Sequence, residues 1–161
     1  MEAVKELKEL LYEELELIAR TTSGLIEKIS PEDWDYRPRE HMRSLQEIVW
    51  HLVAIPSVDL LILQEKSQEE VRALEAQIEA GTDKEHLIES MRSGLDELKQ
   101  YMDKLSDEEF LTRKTKPFYL EHGSVQAKWL IEIVTHAQHH RAQLFTYMKQ
   151  KGYSVTMFDL Y

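Results

Sequence analysis

The sequence predicts an all-α protein, a four-helix bundle with long crossover connections. Apolar residues recur at spacings of three, four and seven along most of the chain. Glycine (5) and proline (4) are too scarce for a succession of tight β-turns. Two of the connections between the long helical patterns are themselves long, which favours crossovers over up-and-down hairpins. With 161 residues the chain has the size of one domain, 1–161, and can bury roughly 70% of the surface its unfolded form exposes.

The first helix is predicted over about Glu2 to Lys28, where Val4, Leu7, Leu11, Leu15, Ile18 and Leu25 form one stripe between glutamates and lysines. Ser30 followed by Pro31 reads as an N-cap with proline at the first helical position, opening a short turn that carries Trp34 and Tyr36 until Pro38. Those aromatics are expected to lid the end of the bundle.

The second helix opens at Ser44, where "SLQE" is a capping box with Glu47 reaching back, and runs to about Gln64. Pro56 removes one backbone donor and predicts a bend, or a break, about a turn after His51. The charged stretch "SQEEVRALEAQIEAG" is either an extension or a separate crossover helix, closed by Gly81. A third helix follows from about Asp83 to Leu105, with Leu87, Met91, Leu95, Leu98 and Met102 on one stripe. Another capping box, "SDEE", begins at Ser106. Beyond an irregular basic link, "LTRKTKPFYLEHG", Ser124 is expected to cap a fourth helix that runs to about Lys151, before Gly152.

Composition removes several classes of function. With no cysteine there is no disulfide, no thiolate ligand and no cysteine nucleophile, so any thiol chemistry must use a thiol brought by the substrate. A formal net charge of -10 repels phosphate backbones and anionic lipid, which argues against nucleic acid and membrane partners. The start, "MEAVKELKEL", alternates charge with leucine and lacks the basic-then-apolar order of a leader, so a soluble cytoplasmic protein is expected.

Chemistry concentrates in "THAQHHRAQL", residues 135–144, with three histidines in five positions. At about 100° per residue His140 lies about 40° from His136, both on the edge of the buried stripe, whereas His139 falls about 60° away on the other side. Histidines at i and i+4 can reach one metal ion. The pattern alone is weak, because paired histidines on an apolar edge are more often core residues satisfied by hydrogen bonds. His51 in the second helix changes the balance, since it also faces inward. Three inward imidazoles would be a costly core unless they shared a task, and a metal supplies one partner to each ring. His41, His86, His122 and His139 fall in loops, at helix starts or off the stripe and read as solvated.

At these residues the chain resembles the DinB/YfiT-like superfamily of four-helix bundles, through "WDYRPRE", "SLQEIVWHLV", "LSDEEF", "HAQHHRAQL" and "KGYSVTMFDLY". The resemblance spans nearly the whole chain. It implies a metal-binding histidine triad of His51, His136 and His140, and the motif departs from the family's frequent glycine at Ala142. It also implies a relation to metal-dependent thiol transferases and isomerases that use a low-molecular-weight thiol. Three neutral imidazoles leave open positions for water or substrate, the arrangement of a catalytic site. Zinc or nickel suits such ligands best, whereas manganese or iron prefers a carboxylate. The nucleophile expected at the triad is then a metal-bound water or an external thiol.

Two functions follow as expectations: a metal-dependent transferase or hydrolase acting on a small molecule, or a non-catalytic stress-response or binding module in which the metal staples two helices. By spacing alone, Glu47 and Glu132 are candidate acceptors for the outer N–H groups of the imidazoles, although both read first as solvated charges or caps. Arg141 and Gln143 beside the triad read first as packing and helix-surface residues, and Trp129, Phe145 and Tyr147 first as core and second as the lining of a pocket above the metal. The second helix is apolar nearly all round, so its outer face needs a second cover. Either the crossover segment 67–80 supplies it or the same helix of a second copy does. The family resemblance leans to a homodimer, with Trp50, Val53 and Leu61 as contact residues.

Overall fold

The computed structural model describes residues 2–161, and among them it contains six α-helices and one two-stranded ladder. The long helices are α1 (Glu2–Lys28), α2 (Leu45–Leu63), α4 (Lys84–Asp103) and α6 (Gln126–Lys151). They pack in a closed ring: α2 lies against α4 and α6, and α1 against α6 and α4. Two shorter helices, α3 (Gln68–Ile78) and α5 (Asp107–Thr112), occupy the long connections.

Helices α2 to α5 each begin where a side chain satisfies orphan backbone donors. At α2 the Ser44 hydroxyl accepts from the Glu47 amide at 3.3 Å while the Glu47 carboxylate accepts from the Ser44 amide at 2.6 Å. The same reciprocal box opens α3 at Ser67 and Glu70, and α5 at Ser106 and Glu109. The crossover is therefore a separate helix. Glu65, in the left-handed region at φ 62°, makes the turn that parts it from α2. At the other end of the chain Gly152 adopts φ 97° and closes α6 in the same left-handed conformation.

The start of α6 differs from the sequence expectation. Ser124 does not cap it; Ser124 and Val125 form β2, paired antiparallel with Lys114–Thr115, β1, inside the supposedly irregular link. Val125 stands at the cap position without a side-chain cap. The buried Gln126 fastens the ladder to the helix instead, its amide donating to the Thr115 hydroxyl at 2.9 Å and its carbonyl accepting from the Tyr101 hydroxyl at 2.9 Å.

Helix α2 is the central element. It remains one helix through Pro56, and 13 of its 19 residues are buried. By length and composition it could cross a membrane, yet here it packs within the ring of long helices and carries Asp59 and His51. Its closest approach to α4 needs a glycine: a Cβ on Gly94 would come within 3.0 Å of the Ser57 backbone nitrogen. The outer face is covered by the chain itself, because α3 packs on α2 and the Trp50 indole N–H donates to the Gly81 carbonyl at 2.8 Å. Val53 is fully buried, and Trp50 and Leu61 are half-buried. Val53 is thus closed off, whereas Trp50 and Leu61 keep part of their surface exposed, and α3 covers much of the apolar circumference of α2.

Aromatic residues close one end. Trp34 is buried, Tyr36 packs edge-on against Tyr147 with ring centres 6.3 Å apart, and Tyr153 donates its hydroxyl proton to Asp33 at 2.6 Å. Arg141 is buried and holds the C-terminal segment, donating to the Thr21 hydroxyl and the Leu160 carbonyl at 2.8 and 3.0 Å. Its role is packing, as its position on α6 predicts.

Candidate metal centre

The capping box fixes the start of α2, and the i, i+4 spacing on α6 sets two imidazoles one above the other across from it. His51, His136 and His140 thereby converge, with one ring nitrogen from each lying within 4.8 Å of the others. Nε2 of His51 and Nε2 of His136 are 3.2 Å apart. Ring centres are separated by 4.3 Å for His51 and His140 and by 5.0 Å for His136 and His140. His140 is buried, and the other two are half-buried. His41, His86, His122 and His139 are all exposed, as their positions predict.

Two of the rings are oriented from behind. Nδ1 of His136 lies 2.8 Å from an oxygen of Asp59, and Nδ1 of His140 lies 2.7 Å from the Gln143 carbonyl oxygen. An acceptor at Nδ1 keeps the proton on that nitrogen and leaves the Nε2 lone pair free. Gln143 is held in turn by its neighbour, its amide nitrogen 3.1 Å from Nε2 of His139. The acceptors expected from spacing are engaged elsewhere: Glu47 caps α2 and pairs with Arg37 at 3.0 Å, and Glu132 pairs with Lys128 at 3.0 Å. Asp59 was the missed residue. Its signal was present as the lone carboxylate within "VAIPSVDLLIL", eight residues and about 80° beyond His51.

Electrostatics keep the cluster in the form that binds a cation. Burial, then the nearby Arg43 charge, pushes His51 down to about 3. Burial likewise takes His140 down to about 4, against the opposing hydrogen bond from Gln143. Both rings are neutral at physiological pH.

The donor set fits a divalent ion. Two nitrogens bound to one zinc at about 2.0–2.1 Å with tetrahedral angles stand about 3.3 Å apart, close to the 3.2 Å between the two Nε2 atoms. Of the expected pocket aromatics, Tyr147 lines a cavity of about 300 Å³ together with His139 and Gln143. Trp129 is instead core, with its indole N–H donating to the Thr115 carbonyl at 3.4 Å, and Phe145 lies under the Lys149 ammonium. On the other side, a larger cavity of about 440 Å³ opens beside His51.

Fold and cluster together define a mostly helical protein with a three-histidine site suited to a divalent cation. The chain belongs to the DinB family, whose sequence model matches residues 2–161. Nothing among curated proteins matches it. Among solved structures it is similar to a protein from Exiguobacterium sibiricum described as a DinB family member, with 29% identity, 96% and 97% of the two chains covered and a TM-score of 0.76. It is also similar to DinB-like proteins from Bacillus cereus and Bacillus subtilis. The first has 17% identity, coverage of 91% and 93% and a TM-score of 0.70. The second has 20% identity, coverage of 91% and 94% and a TM-score of 0.63. At these two lower identities the likeness is one of fold.

Proposed function

We propose that His51, His136 and His140 hold one divalent ion, zinc or nickel, and that the protein is a metal-dependent transferase or hydrolase acting on a small molecule. The observation that carries this reading is the convergence of three imidazoles with two of them oriented from behind by Asp59 and Gln143. The ring of long helices reads as a four-helix bundle with crossovers, a scaffold that builds metal sites from facing helices. An ion so held supplies a Lewis acid that polarises a carbonyl and acidifies a water or a thiol. The chain's own residues do the rest. Asp59 fixes the His136 tautomer, Gln143 fixes that of His140, and the cavity beside His51 gives a small molecule access from solvent. With no cysteine in the chain, a thiol nucleophile comes from a low-molecular-weight thiol.

A second reading has its own support. His51 and His136 stand 85 residues apart in sequence, so an ion between them would staple α2 to α6 without catalysis. A screen of ester and amide hydrolysis and of thiol transfer, with zinc- and nickel-loaded protein, separates the two. Turnover that disappears in chelator and in His136→Ala supports the enzyme. Stoichiometric metal with no turnover, and a melting temperature that falls in chelator, supports the staple. The partner in the first reading is a small molecule in the cytoplasm, and a homodimer would use what Trp50 and Leu61 leave exposed on α2.

A further inference from the structure

The cavity beside His51 is walled by charges of both signs. One wall is the loop before α2, with Arg43 and, farther along it, Glu40; the other is the end of α3, with Glu75 and the capping residue Glu79. Its volume of about 440 Å³ lies within the range of about 300–1,000 Å³ typical of small-molecule sites.

The distribution of partners decides what it can hold. Arg37, on the same rim, is neutralised by Glu47 at 3.0 Å. Arg43 is exposed and, among the described residues, its guanidinium has no ion-pair partner. Glu75 and Glu79 lie one turn apart with no cation in salt-bridge contact among the described residues. Burial and then the neighbouring Glu79 raise Glu75 above the usual carboxylate range, so an ammonium placed between them would relieve the repulsion. A dianion such as a phosphate would meet one free guanidinium and the two unpaired carboxylates. A simple cation would meet the repulsion of Arg43. A molecule carrying both charges at its two ends satisfies both walls.

We propose that this cavity binds a small zwitterion, an amine and a carboxylate on one short chain, with the carboxylate on Arg43 and the ammonium at Glu75 and Glu79. The assignment deepens the metal reading, because it makes that zwitterion the substrate presented to His51. The binding itself needs no ion.

The probes are gamma-aminobutyrate, butyrate and butylamine, titrated at millimolar concentration into the full chain and followed by amide chemical shifts, with zinc-loaded and with chelator-treated protein. Gamma-aminobutyrate is expected to shift the amides of Arg43, His51 and Glu75 and to bind at least about tenfold tighter than either single-charge probe. Arg43→Gln should weaken gamma-aminobutyrate and butyrate about tenfold and leave butylamine unchanged. Glu75→Gln and Glu79→Gln should weaken gamma-aminobutyrate and butylamine and spare butyrate. These side chains are exposed or half-buried, and unchanged helical circular dichroism confirms that the variants fold. Equal binding of the three probes, no binding of any, or indifference to both Arg43→Gln and Glu75→Gln overturns the assignment. So does binding that requires zinc and ignores Arg43, which would place the carboxylate on the ion. Loss of zinc binding with the zwitterion retained would instead overturn the metal reading and leave the pocket standing.

Discussion

Two clusters of interior polar groups can be compared, one between α1 and α4 and one between α2 and α6. In the first, the buried Lys8 ammonium donates to the carbonyls of Met102 and Leu105 at 2.8 and 3.3 Å and sits 4.7 Å from the Phe110 ring centre. Nearby, the Tyr12 hydroxyl donates to Asp103 at 2.9 Å, and burial first and Asp103 second raise its pKa far above the usual tyrosine value. Every group there has a partner that ends the chain of bonds. In the second cluster the bonds run the other way: Asp59 and Gln143 hold the backs of two rings, and the front nitrogens of three rings face one another. A closed network stabilises a helix end. An open one, with three ring nitrogens gathered within 4.8 Å of one another, is built to receive something.

Substitutions behind the ligands should separate the two regions, and among these Asp59→Ala is expected to have the largest effect on the open one. Loss of an acceptor behind a ligating histidine weakens metal binding about 10–100-fold, while melting in chelator stays near wild type. A competition titration with a chromogenic zinc chelator reads it. Lys8→Met, in the closed network, should do the reverse. It takes the ammonium donor from the Leu105 carbonyl and one of several donors from the Met102 carbonyl, at a cost of about 1–3 kcal/mol in urea denaturation, with zinc affinity unchanged. Equal loss of affinity in both variants would erase the contrast between the regions.

Acid sharpens the comparison without mutation. In chelator, His51 and His140 are neutral in the folded protein, held near 3 and 4, whereas unfolding returns them to the ordinary 6.5. The unfolded chain therefore binds more protons below 6.5, and stability falls as pH drops from about 6.5 toward 4. Tyr12, raised far above the usual tyrosine value, keeps its proton throughout that window. Denaturation midpoints at about pH 7 and about pH 5 measure the slope, and His51→Gln should flatten it. The smallest effect expected is that of Tyr12→Phe, about 1 kcal/mol, with no change in zinc binding.

The parts of this picture legible in the sequence are those set by local rules. Capping boxes at Ser44 and Ser106 and the glycine at 152 placed helix ends, and 100° steps put His136 and His140 on one edge. Partners that lie across helices were not legible in the same way. Glu47 and Glu132 were reasonable acceptors one turn from their histidines, yet the carboxylate that reaches His136 comes from another helix, 77 residues away in sequence. Nor could a two-residue ladder at Lys114–Thr115 rise above the noise of a basic link, since strands of that length carry no period. The cover of α2 was ambiguous for a related reason: α3 has its own amphipathic stripe, and only the fold shows that its Val71 and Ile78 are spent on α2's side of the molecule.

The central claim is that three histidines, and not the fourth beside them, hold one ion. Equilibrium zinc titration of the wild type and of His51→Ala, His136→Ala, His140→Ala and His139→Ala, with metal content read by elemental analysis, tests it most directly. One ion per chain should bind to the wild type and to His139→Ala, with binding lost or weakened by orders of magnitude in the other three. Stoichiometric, tight zinc in each of the three triad variants would contradict the site.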